Sequence, residues 1–434
     1  MLRFKWQTQI SDTTHKQYKN VSDIEKIPDG WEHKNLGQIA ELRREHFFPK
    51  GEDTRLYVGL EHIEEGTLSL KSRGKSDEVV SSKSVFKTGD ILFGKLRPYF
   101  RKVILAPFDG VCSTDILVIK PKTKTHNKYL FYLLASKQII DSVSTASEGT
   151  KMPRTSWSFL ESIKINVPAY EEQNRIGEVL SWFDDLIENK KSQNEILEKT
   201  AMAIFKSWFT EFEPFNNSEF ADSELGMIPE GWEVKPIGEI TELIKGVSYK
   251  SSEISLEPQG NLFITLNNFQ REGGFKAEYK YYIGSKANED QKVKEGNLII
   301  ALTDMTPLAR VVGSPAIVVL SHGIDFAIIS LDCAKLQPAV EHLTFYLYLY
   351  LKHSQEENAT FANGVNVLHL NTKSFMQSKF ILIPPESVLE KFNSLVEPLF
   401  QKIILNQRQI MVLRKILDTL LPLLVFGKLR VEEI

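Results

Sequence analysis

FNSLVEPLFQKIILNQRQIMVLRKILDTLLPLL, residues 392–424, sets apolar side chains at Phe392, Val396, Leu399, Ile403, Ile410, Leu413, Leu417, Leu420 and Leu424, with Asn406 as the single polar member of the series. The steps alternate four and three, which is the spacing of a coiled-coil seam. A shift of 216 residues towards the N-terminus finds the same steps at Ile176, Leu180, Phe183, Ile187, Lys190, Asn194, Leu197, Ala201, Ile204 and Trp208. The chain therefore carries two matched long helices, one central and one C-terminal. At ~1.5 Å per residue each seam extends for about 50 Å.

Working outward, a second repeat precedes each helix by a long interval. Ser22–Ile39 reads SDIEKIPDGWEHKNLGQI and Ser223–Ile240 reads SELGMIPEGWEVKPIGEI, with nine of eighteen positions identical. Pro followed by Asp-Gly or Glu-Gly is turn chemistry, and the adjacent Trp gives the turn a large group to bury. We read it as a turn that staples each globular unit to the helices. Short β-branched or aromatic runs bounded by Gly, Pro or Asp follow in both halves: Leu56–Leu60, Ile91–Phe93, Lys102–Ala106 and Ile116–Ile119, then Leu262–Leu266, Leu298–Leu302, Ala316–Leu320 and Phe326–Leu331. Gly89–Phe93 matches Gly296–Ile300. A helical stretch comes next, at Tyr129–Ile140 and Leu343–His353, and each half closes on an apolar strand and a proline, at Ile163–Pro168 and Phe380–Pro385.

The expected plan is α+β: two similar mixed α/β globular domains separated by a long antiparallel two-helix coiled coil with pseudo-twofold symmetry. Its expected divisions are an N-terminal extension at 1–26, a first domain at 27–169, the central helix at 170–212, a linker at 213–227, a second domain at 228–385 and the C-terminal helix at 386–434. Glu213-Pro214 closes the central helix, and Pro398 is expected to kink or delay the start of the last one and Pro422 to disturb its final turn. If the two ends of the second domain lie close together, the helices must run antiparallel. End-to-end alignment of the seams then sets Asn194 opposite Asn406, a polar layer that costs stability and fixes register; both asparagines at the solvent edge is the equal alternative.

The totals bound the function. The 434 residues are 42% hydrophobic and 25% charged, which suits two domains and a scaffold. The polar first twenty residues contain no signal core, the apolar run Ile416–Phe426 is too short to span a bilayer, and a cytoplasmic protein with no membrane partner is expected. Cys112 and Cys333 read as two buried free thiols, and no zinc spacing exists. The net charge is −3, unevenly spread: residues 1–170 hold 27 Lys and Arg against 20 Asp and Glu, leaving 26 against 36 for the rest. A basic front half is compatible with a phosphate-facing surface or with an ordinary solvated face.

No Walker A loop, no G-x-G-x-x-G after a strand, no H-E-x-x-H and no G-x-S-x-G is present, and the nine histidines are scattered. The chain reads as a non-catalytic binding protein, with no catalytic or metal-ligating residue. Gly94–Lys102 packs four cations and two aromatics into nine residues, and Lys95, Arg97, Tyr99 and Arg101 would share one face of a strand. That pattern suits phosphate contact and guanine reading; the other reading is a solvated edge whose cations guard against aggregation. Thr150, Lys151 and Arg154 lie in a second glycine-led loop, whose counterpart holds Asn366, His369 and Lys373. Lys245, Tyr249 and Lys250 in one loop, and Asn268 and Arg271 in another, complete the candidate DNA-binding residues. The candidate seam residues are Ile176, Leu180, Phe183, Ile187, Asn194 and Leu197 with Ile403, Asn406, Ile410, Leu413, Leu417 and Leu420.

Paired IPDGWE and IPEGWE turns, GDILFGKLRPYFRKVILAPFDGVCSTDILVI, GTKMPRTSW, VPAYEEQNRI and AMAIFKSWFTEFEPF together resemble the specificity subunit of type I restriction–modification systems, over about residues 22–434. The resemblance implies two target recognition domains, each reading one half of an asymmetric bipartite site in double-stranded DNA. It implies helices that space the domains and dock two modification (methyltransferase) subunits, with restriction (endonuclease/translocase) subunits joining them. S-adenosylmethionine, ATP and Mg are then expected on those partners and no cofactor on this chain. It maps DNA contacts onto Lys95, Arg97, Tyr99, Thr150, Lys151 and Arg154. The second domain departs from the first in this region, with GVNVLHLN in place of the first loop. A rival reading is a non-DNA scaffold whose two β-rich domains bind peptide or glycan.

Overall fold

The computed structural model describes residues 27–49, 54–146, 153–271, 273–305 and 309–433. The extension expected at 1–26 lies outside the described residues. Contacts divide the chain into two compact units, Met1–Asp185 with Arg414–Ile434, and Leu186–Leu413. Each consists of one globular domain and a section of both long helices.

The central helix is continuous over Tyr170–Phe209 and the C-terminal one over Glu386–Val425. The last helix thus starts well before Pro398 and passes through both Pro398 and Pro422. Pro398 does not delay it, because Glu386 onward supplies three turns before the ring is reached. Of the seam residues, Ile176, Leu180, Ile187, Asn406, Ile410 and Leu417 are buried, and Phe183, Asn194, Leu197, Ile403, Leu413 and Leu420 are half-buried. In the second unit the helices run antiparallel. Asn406 Nδ2 donates to Asn194 Oδ1 at 2.9 Å and to Gln193 Oε1 at 3.3 Å, and Lys190 bonds Gln409. The two asparagines therefore face each other, with Asn406 fully buried. Phe400 and Ile404 lie outside the seam series and are buried too, because the domain covers a second face of the helix: Phe345 stacks on Phe400 with centroids 4.5 Å apart.

Each domain is closed by a two-stranded antiparallel ribbon. In the first, Glu32–Asn35 pairs with Lys164–Val167; in the second, Glu233–Pro236 pairs with Phe380–Ile383. Chain entrance and exit are thereby adjacent, the condition under which a domain inserted between two helices leaves them antiparallel. The turns before the ribbons dock on the helices as their sequence suggests. Trp31 is buried and its Nε1 donates to Glu172 at 3.2 Å. Trp232 is buried against Phe209, Phe212 and Phe215.

Beyond the ribbons both domains contain a four-stranded antiparallel sheet. Its order is Ala40–Leu42, Ile116–Pro121, Ile91–Gly94, Val103–Leu105 in the first domain. In the second it is Thr241–Lys245, Cys333–Pro338, Leu298–Ala301, Pro315–Ile317. A five-stranded mixed sheet accompanies each, built around one parallel pair: Leu56–Val58 with Gly110–Cys112, and Asn261–Ile264 with Ala327–Ile329. The apolar helices Asn127–Ala135 and Leu343–His353 contribute to the cores, being buried over most of their length. Both cysteines are free and buried, and burial pushes the Cys112 thiol up to about 12.

Candidate nucleic-acid interface

In the first domain the strand Ile91–Gly94 runs into the cationic cluster. The cluster is a turn rather than a strand. Arg97 (φ 47°) and Arg101 (φ 49°) occupy the left-handed region on either side of a short 3-10 turn, Pro98–Phe100. The expected shared face of Lys95, Arg97, Tyr99 and Arg101 therefore does not form. Pro98 fixes its own φ and carries no N–H, which ends the ladder there. Arg101 turns inward: its Nε donates to the Ala135 carbonyl at 2.6 Å and Nη1 meets Asp418 at 3.2 Å. It is engaged inside its unit and is removed from the candidate DNA-binding set. Arg97 is exposed, 5.9 Å from the Phe100 ring centre, and Tyr99 is half exposed with its edge against Phe100.

The turn brings together two clusters far apart in sequence. Arg97 N donates to Pro153 O at 2.9 Å, Thr155 N donates to Lys95 O at 3.0 Å, and Leu96 bridges Arg154. Lys95 N donates to Asp115 O at 2.8 Å, and Arg154 Nη2 donates to Asp115 Oδ1 at 2.7 Å. Lys95, Arg97, Tyr99 and Arg154 thus belong to one local surface. Thr150 and Lys151 lie outside the described residues.

The same backbone bonds recur in the second domain and fix residue-by-residue equivalence. Leu302 N donates to Asp332 O at 2.7 Å, Leu370 N donates to Leu302 O at 2.8 Å, and Thr303 pairs with His369. Leu302 and Asp304 hold the places of Lys95 and Arg97, His369 that of Arg154, and Asp332 that of Asp115. Sequence reading missed Leu302–Asp304 because the cations that flagged the first cluster are absent. The available signal was the match between Gly89–Phe93 and Gly296–Ile300, continued two residues further. The loop is internally braced: Asp304 is buried and accepts from Val311 N at 2.8 Å. Asp332 accepts from Tyr249 OH at 3.2 Å and from Thr303 Oγ1 at 3.3 Å. Burial, with Asp332 beside it, raises the Tyr249 phenol above its ordinary range, so it remains a donor.

Asn366, His369 and Lys373 are exposed, as are Lys245, Lys250 and Arg271. Lys245 and Lys373 line one cleft of about 1000 Å³ between the strand Thr241–Lys245 and the helix Thr372–Ser378. Asn268 is a correction. It is fully buried, its Oδ1 accepts from Thr265 N at 2.9 Å, and its Nδ2 donates to Lys276 O and Glu278 O at 3.0 and 2.7 Å. Every bonding group of that amide is used within the fold. Among the described residues no cluster of metal-ligating side chains occurs, and no helix is long and apolar enough to cross a membrane.

A duplicated β-rich domain that presents a side-chain set on a common backbone frame, carried on paired long helices, defines a class of two-domain recognition proteins. The family description "Type I restriction modification DNA specificity domain" matches residues 28–199 and 229–414, and the chain belongs to that family. It is 35% identical to the type I restriction enzyme MjaIX specificity subunit of Methanocaldococcus jannaschii, over 100% of this chain and 99% of that one. It is 32% identical to the EcoDI specificity subunit of Escherichia coli over 37% of this chain and 36% of that one. Its fold is similar to the crystal structure of the type I restriction–modification S subunit from M. genitalium, with a TM-score of 0.53 at 17% identity, covering 93% of this chain and 97% of that one. The chain is the DNA specificity subunit of a type I restriction–modification system, a non-catalytic part of the complex.

Proposed function

We propose that this chain reads an asymmetric bipartite site in double-stranded DNA, one half per domain. The observation that carries the reading is the paired frame just described. Equivalent backbone bonds hold Lys95, Arg97 and Arg154 in one domain and the exposed His369 in the other, where Leu302 and Asp304 stand buried in the places of Lys95 and Arg97, so one scaffold presents two different chemistries. Arg and Lys with an aromatic suit phosphate and guanine contacts; Asn and His suit base edges of another pattern. Two unlike readers imply two unlike half-sites.

The helices supply the docking surface for two methyltransferase subunits. In the second unit Leu186, Ile196, Leu395, Leu405 and Val412 are exposed on helices whose seam is already filled. Contiguous apolar surface on a protein marks an interaction site, and these exposed side chains are where such a surface would form on the helices. S-adenosylmethionine, with ATP and Mg for restriction, belongs to those partners and their restriction subunits in the cytoplasm.

The test is an adenine-methylation map of cells carrying the complex, before and after residues 28–168 are exchanged for the corresponding segment of another specificity subunit. One half of the methylated motif should change and the other persist. A change in both halves, or in neither, overturns the division of labour. Binding that does not weaken steeply between low and moderate salt would favour the peptide- or glycan-binding scaffold instead.

A further inference from the structure

We infer that Asp115 is a positioning residue that makes Arg154 a reader of guanine in the half-site of the first domain. The inference rests on the reading proposed above and deepens it. Arg154 and Asp115 form a close ion pair, 2.7 Å from Nη2 to Oδ1, with the arginine side chain 57% and the aspartate 31% exposed. So exposed a pair adds little to stability. Its effect is on geometry and on choice of partner.

The geometric effect is to hold a long, rotatable side chain in one orientation. The Arg154 backbone is itself fixed, bridged to Leu96 and flanked by the bonds of Pro153 and Thr155 to Arg97 and Lys95. The backbone of Asp115 is fixed by accepting from Lys95 N. A guanidinium held at both its root and one edge is preorganised for a planar, bidentate acceptor.

The choice of partner follows from charge. A phosphate brought to Arg154 would place its negative oxygens beside the Asp115 carboxylate. The O6 and N7 acceptors of guanine carry no net charge and suffer no such repulsion, and the Arg–guanine pair is the commonest specific contact in the major groove. Arg97 has an aromatic neighbour and, among the described residues, no carboxylate partner, which leaves it suited to phosphate.

The second domain retains the carboxylate and changes what it holds. Asp332, at the place of Asp115, accepts from Tyr249 and Thr303, and His369 stands at the place of Arg154. The carboxylate is a shared brace for the reading loop, and only the first domain converts it into a guanidinium clamp.

The experiment uses the complex of this chain with its methyltransferase subunits, on duplexes carrying its mapped motif. Each guanine of the half-site that moves with residues 28–168 is replaced in turn by 7-deazaguanine, which lacks N7. One position should lose affinity by about tenfold or more. That penalty should vanish in Arg154→Ala and shrink several-fold in Asp115→Asn, with the other half-site read as before. Arg154→Lys should not restore it, since a point charge cannot make the paired contact. If no guanine in that half-site is sensitive, or if Asp115→Asn keeps the full penalty, the inference is wrong. If the complex binds no DNA, or exchanging residues 28–168 moves neither half-site, the underlying reading fails and takes the inference with it.

Discussion

Asn406 offers a quantitative test of the helix pairing. Its side chain is fully buried, donates twice to Asn194 and Gln193, and leaves its own Oδ1 without a partner. Asn406→Leu removes two donated bonds, each ~0.5–1.5 kcal/mol net, and relieves an orphan buried oxygen that costs ~1–3 kcal/mol. It adds a buried Leu side chain, ~1.5–3 kcal/mol. Asn194 is half-buried and Gln193 exposed, so both find water after the change. The balance is a gain of about 1–3 kcal/mol, or roughly 2–10 °C in the calorimetric transition of the second unit. In a cycle with Asn194→Leu the two changes should be coupled by ~0.5–1.5 kcal/mol, because they share one bond. A lowered transition in Asn406→Leu, or a cycle that closes without coupling, would refute the buried polar layer.

Three further outcomes follow from named contacts. Trp232→Ala empties the aromatic cage of Phe209, Phe212 and Phe215, and should cost about 3–5 kcal/mol in the second unit by calorimetry. Asn268→Ala strands Thr265 N, Lys276 O and Glu278 O, and should cost about 2–4 kcal/mol while leaving the methylated motif unchanged, since the amide faces the fold. Asp109 accepts from Thr88 N and Thr88 Oγ1 and meets Lys87, which lowers its carboxyl to about 2. Its folded pKa lies below the unfolded value, so its contribution is present above ~3.9 and is lost as pH falls through about 2; carboxyl NMR titration checks it.

The long helices were legible because their pattern is redundant: twenty positions in one alternating step, with no exposed member among the seam residues described. The Trp turns were legible because a repeated Pro-Asp/Glu-Gly-Trp admits few structures. The misreadings have local physical causes. Lys95–Arg101 alternates like a strand, yet Pro98 cannot donate to a ladder, and the arginines on either side adopt positive φ to turn the chain. Asn268 reads as a DNA-binding candidate in the sequence because an Asn that caps a loop and an Asn that contacts DNA look alike in a string. Its burial, decided by packing against residues 276–278, separates them. The equivalent loop of the second domain is illegible for the opposite reason. Leu302, Thr303 and Asp304 carry none of the chemistry of their counterparts, and only backbone register reveals the equivalence.

That register also accounts for why such domains can diverge without losing the scaffold. The bonds that place the candidate residues are made by main-chain atoms: Lys95 N and Leu302 N to an aspartate carbonyl, Thr155 N and Leu370 N back to Lys95 O and Leu302 O. On the same main-chain bonds Lys95 in one domain is Leu302 in the other, and Arg154 is His369. The ribbons Glu32–Asn35/Lys164–Val167 and Glu233–Pro236/Phe380–Ile383 complete the separation. They close each domain beside the helices, so the chain enters and leaves each domain at one place. If each domain reads one half-site, exchanging residues 28–168 exchanges one reader whole, because the ribbon Glu32–Asn35/Lys164–Val167 bounds it.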